Sequence, residues 1–191
     1  MLKGKRIGVA LTGSFCTFET VLECIEHLVK KDAKITPIMS YNAYTQDTKF
    51  GKAAYWVAEI EAMTGQKIIH TIPDAEPIGP SKLLDILAIL PATGNTIAKI
   101  AQGIADTPAT FAAKSQLRNG RPVIIGISSN DALAAGAKNI GYLLNTKNIY
   151  FIPFGQDDCI KKPYSILFNK EYVLPAINGA LEGKQIQPLL V

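Results

Sequence analysis

The sequence predicts an α/β fold: one doubly wound, Rossmann-like (flavodoxin-like) parallel sheet of about six strands, with helices on both faces. Three observations carry that expectation. Short apolar runs without alternation recur along the chain, as in strands buried on both faces. Each is followed by a polar turn and then a stretch of 3.6-residue periodicity. The 191 residues, 48% of them hydrophobic, suffice for one large core and leave little room for a second domain or a closed eight-unit barrel. The whole of 1–191 therefore reads as a single domain, with no linker inside it.

The elements follow in order. Arg6–Leu11 is the first strand and Thr12-Gly13-Ser14 breaks it. From Phe15 onward Phe18, Val21, Leu22, Ile25, Leu28 and Val29 define one helical face, with Glu19, Glu23 and Glu26 opposite. Residues 35–39 form a second strand, with Pro37 pointing to an edge. A helix over 53–63 ends at Gly65. Lys67–Ile72 reads as a third strand, and the prolines of 74–80 as irregular loop. Leu83–Leu90 is a fourth strand, followed by Pro91-Ala-Thr-Gly-Asn-Thr96 and a helix over 97–105. Thr107-Pro108 opens another helix through Leu117, as an N-cap with proline at the first helical position. Strands at 122–127 and 149–154 flank a helix over 131–144, and a last helix spans 171–182.

Composition narrows the function. Twenty basic against sixteen acidic residues give a formal charge of +4, and no basic run concentrates it, so nucleic acid is not an expected partner. A charged fraction of only 19% suits a surface hidden in an oligomer. Cys16, Cys24 and Cys159 are an odd, scattered set without a C-x-x-C pair. Neither a disulfide framework nor a metal site is expected, and a cytoplasmic setting is the default. No apolar run has the length of a membrane span, and the N-terminal apolar stretch is too short for a signal sequence.

In an open parallel sheet, ligands bind beyond the carboxyl ends of the strands. Four polar segments fall there: Thr12-Gly13-Ser14, Ser40-Tyr41-Asn42, Pro91–Thr96 and Ser128-Ser129-Asn130-Asp131. Singly, each has an ordinary reading as a turn or a helix cap, with Asn95 or Thr96 capping one helix and Ser129 or Asn130 the next. Together they build one cleft. The first segment lacks both G-x-G-x-x-G and the lysine of a Walker loop, so a single phosphate suits it better than a triphosphate.

These residues resemble the flavoprotein family of homo-oligomeric flavin-containing cysteine decarboxylases and flavin prenyltransferases. Gly8–Phe15 and Pro91–Asp106 carry the likeness, Pro91–Thr96 being the family's P-A-S-A-N-T segment with Thr and Gly substituted. The stretches 75–85, 139–158 and 181–191 are similar to one branch of the family, the flavoprotein subunit of a two-subunit oxidoreductase. The resemblance implies an FMN site. Gly13 and Ser14 would hold the phosphate, with Thr12 beside them and Ser40 approaching from the second strand. Ala92, Thr93, Gly94, Asn95 and Thr96 would pass the ribityl chain and ring. Ser128, Ser129 and Asn130 would complete the cofactor site, Asn130 matching the decarboxylases' asparagine that contacts the substrate carboxylate. It further implies NAD(P) on a dinucleotide-binding partner subunit, a small dicarboxylate substrate, and a homo-oligomer, trimer or dodecamer. The decarboxylases' histidine is missing, since that region reads Glu76-Pro77-Ile78, and Ala132–Ala137 stands where their Met-Trp would be. Decarboxylation of a peptidyl cysteine is therefore not expected. A small-molecule decarboxylase or prenyltransferase, and a stabilising subunit with a vestigial pocket, stay open as rivals.

Titratable candidates have bland alternatives. Asn130 and His70 are the catalytic candidates, His70 as a base at the end of the third strand or, preferably, as a structural histidine. Cys16 sits in a first helical turn, either activated by the dipole or packed as a small hydrophobe. Cys24 reads as core and His27 as solvated. Lys82, Arg118 and Arg121 are the cations to map against a dianionic substrate. Tyr55 and Trp56 would cover a flavin ring or line a subunit interface, the latter preferred. Asp157-Asp158 reads as surface loop.

Overall fold

Five strands start along one edge of a sheet and run in parallel: β1 (Arg6–Leu11), β2 (Lys34–Met39), β3 (Ile86–Ala92), β4 (Val123–Ser129) and β5 (Ile149–Phe151). The computed structural model describes residues 2–191. Within it the strand order is β2-β1-β3-β4, with β1 and β3 interior and β2 at an edge. The outer side of β4 is shared. Its first half, Val123–Ile125, pairs with β5, and its last two residues, Ser128 and Ser129, pair antiparallel with a later strand, residues 162–168. That strand, β7 (Lys162–Phe168), forms a hairpin with β6 (Phe154–Asp158). Among the described residues the sheet is thus seven-stranded and mostly parallel, with an antiparallel hairpin added at the carboxyl ends.

Eight α-helices in these residues accompany the strands: α1 (Phe18–Lys30), α2 (Tyr41–Thr45), α3 (Ala53–Thr64), α4 (Ile72–Ala75), α5 (Gly94–Ala101), α6 (Pro108–Arg118), α7 (Ala137–Leu144) and α8 (Val173–Leu181). Strand side chains alternate between two apolar layers. Ile7, Val9 and Leu11 of β1 meet Phe18, Val21 and Ile25 of α1, Trp56 and Ile60 of α3, and Ile177 of α8. On the other face, Ala10 of β1 and Ile125 and Ile127 of β4 meet Ile97 of α5, Ala109 and Ala112 of α6, and Ile140 of α7. This is the doubly wound arrangement, and every one of those side chains is buried.

Differences from the sequence reading have local causes. Residues 67–72 do not form a strand. A single parallel bridge, Ile38 to Ile69, joins the edge of β2. There the chain turns away, because Glu61 takes the Ile68 N–H and Thr71 caps α4 with Pro73 in its first turn. β3 starts at Ile86 rather than Leu83, since Lys82 turns with a left-handed φ of 45°. α5 begins at Gly94 because Thr93, not Asn95 or Thr96, is its cap. α7 begins only at Ala137. Before it, the Asp131 carbonyl accepts from the N–H groups of Ala134 and Gly136 and closes tight turns. Thr107 does cap α6, with Thr110 completing a reciprocal capping box, and Gly65 ends α3 at a φ of 64°.

At the starting edge of the sheet, Asp85 accepts hydrogen bonds from the Arg6 side chain and backbone N–H, and from Arg121. The Arg6 hydrogen bonds hold the Asp85 carboxyl down to about 2, from an ordinary value of 3.8. A lowered folded-state value stabilises the fold above the unfolded value and loses that contribution as pH falls. We therefore expect Asp85→Asn to cost at most about 2 kcal/mol near neutrality. The variant should also flatten the fall in unfolding midpoint between about pH 4 and pH 2, as followed by circular dichroism.

Candidate functional site

The carboxyl ends of β1, β3 and β4 are laced together by hydroxyl groups. Buried Thr12, just past β1, donates from Oγ1 to the Pro91 carbonyl at 2.8 Å and accepts from the Thr93 N–H at 3.0 Å. The Thr12 N–H also donates to the Pro91 carbonyl, at 3.2 Å. Two residues on, Ser14 Oγ and Ser128 Oγ lie 2.7 Å apart, joining the β1 turn to the end of β4. Thr93 Oγ1 accepts from the Thr96 N–H at 3.2 Å and lies 2.9 Å from Thr96 Oγ1. Ser40 caps α2 by accepting from the Ala43 N–H.

Two adjoining hollows result, sharing Gly13 and Thr93 as the ridge between them. The first, of about 370 Å³, lies toward the hairpin, where Ser14, Gly94, Ser128, Ser129 and Asn130 face Lys162, Ser165, Ile166 and Leu167. The second, of about 390 Å³, lies toward β2, bounded by Thr12, Ser40, Asn42, Asn95, Thr96 and Lys99. Gly94 allows the β3 and β4 turns to come this close. A Cβ there would stand 2.6 Å from Asp131 Oδ1 and 2.7 Å from Ser129 Oγ. The bulge between Ile89 and Ala92 in the pairing of β3 with β4 precedes this turn.

Of the sequence-predicted site residues, Thr12, Gly13, Ser14, Ser40, Thr93, Gly94, Asn95, Thr96, Ser128, Ser129 and Asn130 all line one hollow or the other. They divide between two lobes rather than filling one cleft. Ala92 does not line either: it is fully buried in β3, facing α5 and α6. His70 is also outside both hollows. It stacks on Tyr44 at a centroid distance of 3.9 Å, and its Nδ1 lies 3.2 Å from the Ile68 carbonyl, a structural position. Lys82, Arg118 and Arg121 stand at the opposite edge of the sheet, in the segments that lead into β3 and β4. Trp56 is core, packed edge-on against Phe18, while Tyr55 is 53% exposed. Cys16 is exposed on the wall of the first hollow rather than packed. Cys24 is buried, and desolvation pushes its thiol up to about 12. Neither Asn130 nor Ser129 caps a helix. Ser129 Oγ donates to Asp131, and Asn130 Oδ1 accepts from Ser165 Oγ of β7 at 3.3 Å.

Two cations reach the site that the sequence reading missed. Lys162 of β7 is bound to Asp157 of β6 at 2.7 Å in the first hollow, and that hydrogen bond raises the lysine. Lys99 of α5 is bound to Asp106 at 2.8 Å in the second, where it lowers the aspartate. Asp157-Asp158 is thus not a plain loop: Asp158 Oδ1 accepts from the N–H groups of Ile160 and Lys161 and turns the hairpin. The available signal was a charged run between two apolar runs, Ile152–Phe154 and Ser165–Phe168.

The family described as Flavoprotein matches residues 1–161 of this chain. The chain belongs to the flavoprotein family. It is 48% identical over 190 residues to the B subunit of dipicolinate synthase from Bacillus subtilis, covering 100% of this chain and 95% of that protein. The crystal structure of the dipicolinate synthase B subunit from Bacillus halodurans superposes with a TM-score of 0.92 at 45% identity, over 100% of this chain and 97% of the other. The FMN-dependent cysteine decarboxylase SpaF follows at a TM-score of 0.66 and 25% identity, over 95% and 98%. Among the described residues of this flavoprotein chain, no helix is long and apolar enough to cross a membrane.

Thr12→Val keeps shape and volume but strands the Thr93 N–H and leaves the Pro91 carbonyl only the backbone N–H of residue 12. We expect a loss of about 1–3 kcal/mol in urea unfolding, with Thr12→Ser close to wild type.

Proposed function

We propose that this chain is the flavoprotein subunit of a dipicolinate synthase. With the dinucleotide-binding A subunit of that enzyme carrying NAD(P), it converts the dihydrodipicolinate-level intermediate to dipicolinate in the mother-cell cytoplasm of a sporulating bacterium. The full-length identity of 48% to a dipicolinate synthase B subunit supports the reaction. The observation that carries the site is the pair of hydroxyl-lined lobes at the carboxyl rim, in which each lining cation is already paired with an aspartate.

That donor set fits FMN. We place the phosphate not at Gly13 and Ser14, as the sequence led us to expect, but in the second lobe. There the hydroxyls of Ser40 and Thr96, the Asn95 amide and the first N–H groups of α5 suit a monophosphate without a dedicated lysine. Ser14 stands in the other lobe against Ser128. Gly13 and Thr93 would carry the ribityl chain over the ridge. The ring would lie toward Ser14, Ser128 and the apolar wall of Ile166 and Leu167. When bound, FMN would supply a planar, redox-active ring beside the substrate, with NAD(P) on the partner as the final electron acceptor.

The substrate is a dicarboxylate, and its oxidation releases a hydride, taken by NAD(P) on the partner, and a proton. Lys162 is the residue we assign to a substrate carboxylate, with Asn130 beside it. The Lys162–Asp157 pair is solvent-exposed, and such pairs contribute little, so an entering carboxylate displaces Asp157 at small cost. Like relatives in the family, the chain would assemble as a homo-oligomer, trimer or dodecamer, and sedimentation of the purified protein tests this.

The decisive experiment adds FMN and the dinucleotide-binding companion to the purified chain and supplies dihydrodipicolinate. Flavin that binds and supports turnover only with both subunits present is the expected result. Absence of flavin binding would favour a stabilising subunit with a decayed pocket. Flavin binding without any requirement for this chain in turnover would reject the catalytic reading.

Two substitutions separate the lobes. Asn95→Ala should weaken FMN binding about fivefold in a fluorescence titration, the equivalent of one neutral hydrogen bond. Lys162→Ala should leave FMN affinity unchanged and raise KM for the dicarboxylate by about tenfold or more.

A further inference from the structure

The sequence spreads its basic residues evenly, but the fold does not. The segments leading into the five parallel strands all emerge at one edge, opposite the cleft. Lys3, Lys5 and Arg6 come with β1, and Lys31 and Lys34 with β2. Lys82 precedes β3, Arg118 and Arg121 precede β4, and Lys147 precedes β5. The same segments hold three acids, Asp32, Glu76 and Asp85. This edge therefore carries +6 in a chain whose total is +4, leaving the remainder at −2.

Helix dipoles explain part of it. Lys31, Arg118 and Lys147 lie at or just beyond the C-termini of α1, α6 and α7, where cations are favoured. Lys3, Lys5, Lys34 and Lys82 have no such reason to be there, and all four are exposed. Asp85 is already engaged by Arg6 and Arg121, so it does not neutralise those four lysines.

Within the edge lies a hollow of about 520 Å³, floored by Val29, Ala33, Ile35 and Leu83 and rimmed by Arg6 and Lys34. An apolar floor inside a cationic rim fits a protein surface that offers acidic side chains around an apolar anchor. A phosphate backbone would use the rim but not the floor. A second copy presenting the same edge would meet like charge.

We propose that this edge, remote from the flavin cleft, docks an acidic surface of the companion dinucleotide-binding subunit. The proposal rests on the two-subunit reading above. It leaves the cleft at the other end of the sheet open to substrate, and opposite charge steers the encounter.

The test measures binding of the purified, full-length companion to the purified chain by calorimetry, at about 0.1 and 1 M salt, where the screening length falls from about 10 to about 3 Å. Affinity should fall about tenfold or more with salt. Lys34→Glu with Lys82→Glu should weaken it about tenfold or more at low salt. Thermal midpoint and FMN affinity should stay at wild-type values, and Lys49→Glu with Lys52→Glu, away from this edge, should not weaken it. Binding that ignores both salt and the reversals would overturn the docking surface while keeping the two-subunit reading. No binding of the companion under any condition would overturn both. Reversals that change sedimentation of the chain alone, with companion binding intact, would make this edge a self-contact and also overturn the proposal.

Discussion

The buried hydroxyl of Thr12 governs the geometry of the carboxyl rim. Parallel strands end with unpaired backbone groups, and in most sheets the turns that follow are free to diverge. Here one side chain both donates to the Pro91 carbonyl and accepts from the Thr93 N–H, and so fixes the turn after β1 against the turn after β3. Thr93, held in this way, becomes the cap of α5, which aims the first turn of that helix into the cleft. Ser14 and Ser128 extend the same constraint to β4. The ridge between the two lobes and the floors of both depend on these few contacts between groups that are small and locked in place.

Much of this was legible in the residues. Unbroken apolar runs at 6–11, 35–39 and 122–127 correspond to buried parallel strands, and Thr107-Pro108 opens its helix as its composition dictates. The polar turns at strand ends were readable because the topology forces them to one rim, whatever the strand order. What escaped had a physical reason. The apolar look of Lys67–Ile72 reflects burial of Ile68 beneath α3, not pairing, and one bridge is all that forms. The hairpin of β6 and β7 is half solvated and short, with charged residues at its turn, so neither period stands out. Because Lys162 and Asp157 arrive on that hairpin, the charged part of the first lobe was invisible with it. The basic residues near 82 and 118–121, mapped against a dianionic substrate without being assigned to it, each precede a strand and so stand at its amino end, opposite the rim.

Gly94 shows how a departure from a family pattern can be a compensation. In the P-A-S-A-N-T segment its place is held by a residue with a side chain, whereas here Asp131 and Ser129 occupy the space that a Cβ would need. The two turns are drawn together, and the exposed Asp131 accepts from the Ser129 hydroxyl. A carboxylate at this edge of the cleft also adds a negative charge that any anionic ligand must tolerate.

The divided outer edge of β4 has a consequence for how such proteins diversify. Its lower half is occupied by β5 and only its last two residues hold the hairpin. The wall opposite the turns is therefore attached by few backbone pairs, while Phe154, Ile166 and Phe168 anchor it in the apolar layers and its tip, 155–164, lies outside them. Insertions, deletions or exchange of that tip leave the central strands and their hydroxyl lacing in register. Descendants of one scaffold can thus inherit an unchanged floor while acquiring different ceilings, and with them different chemistry.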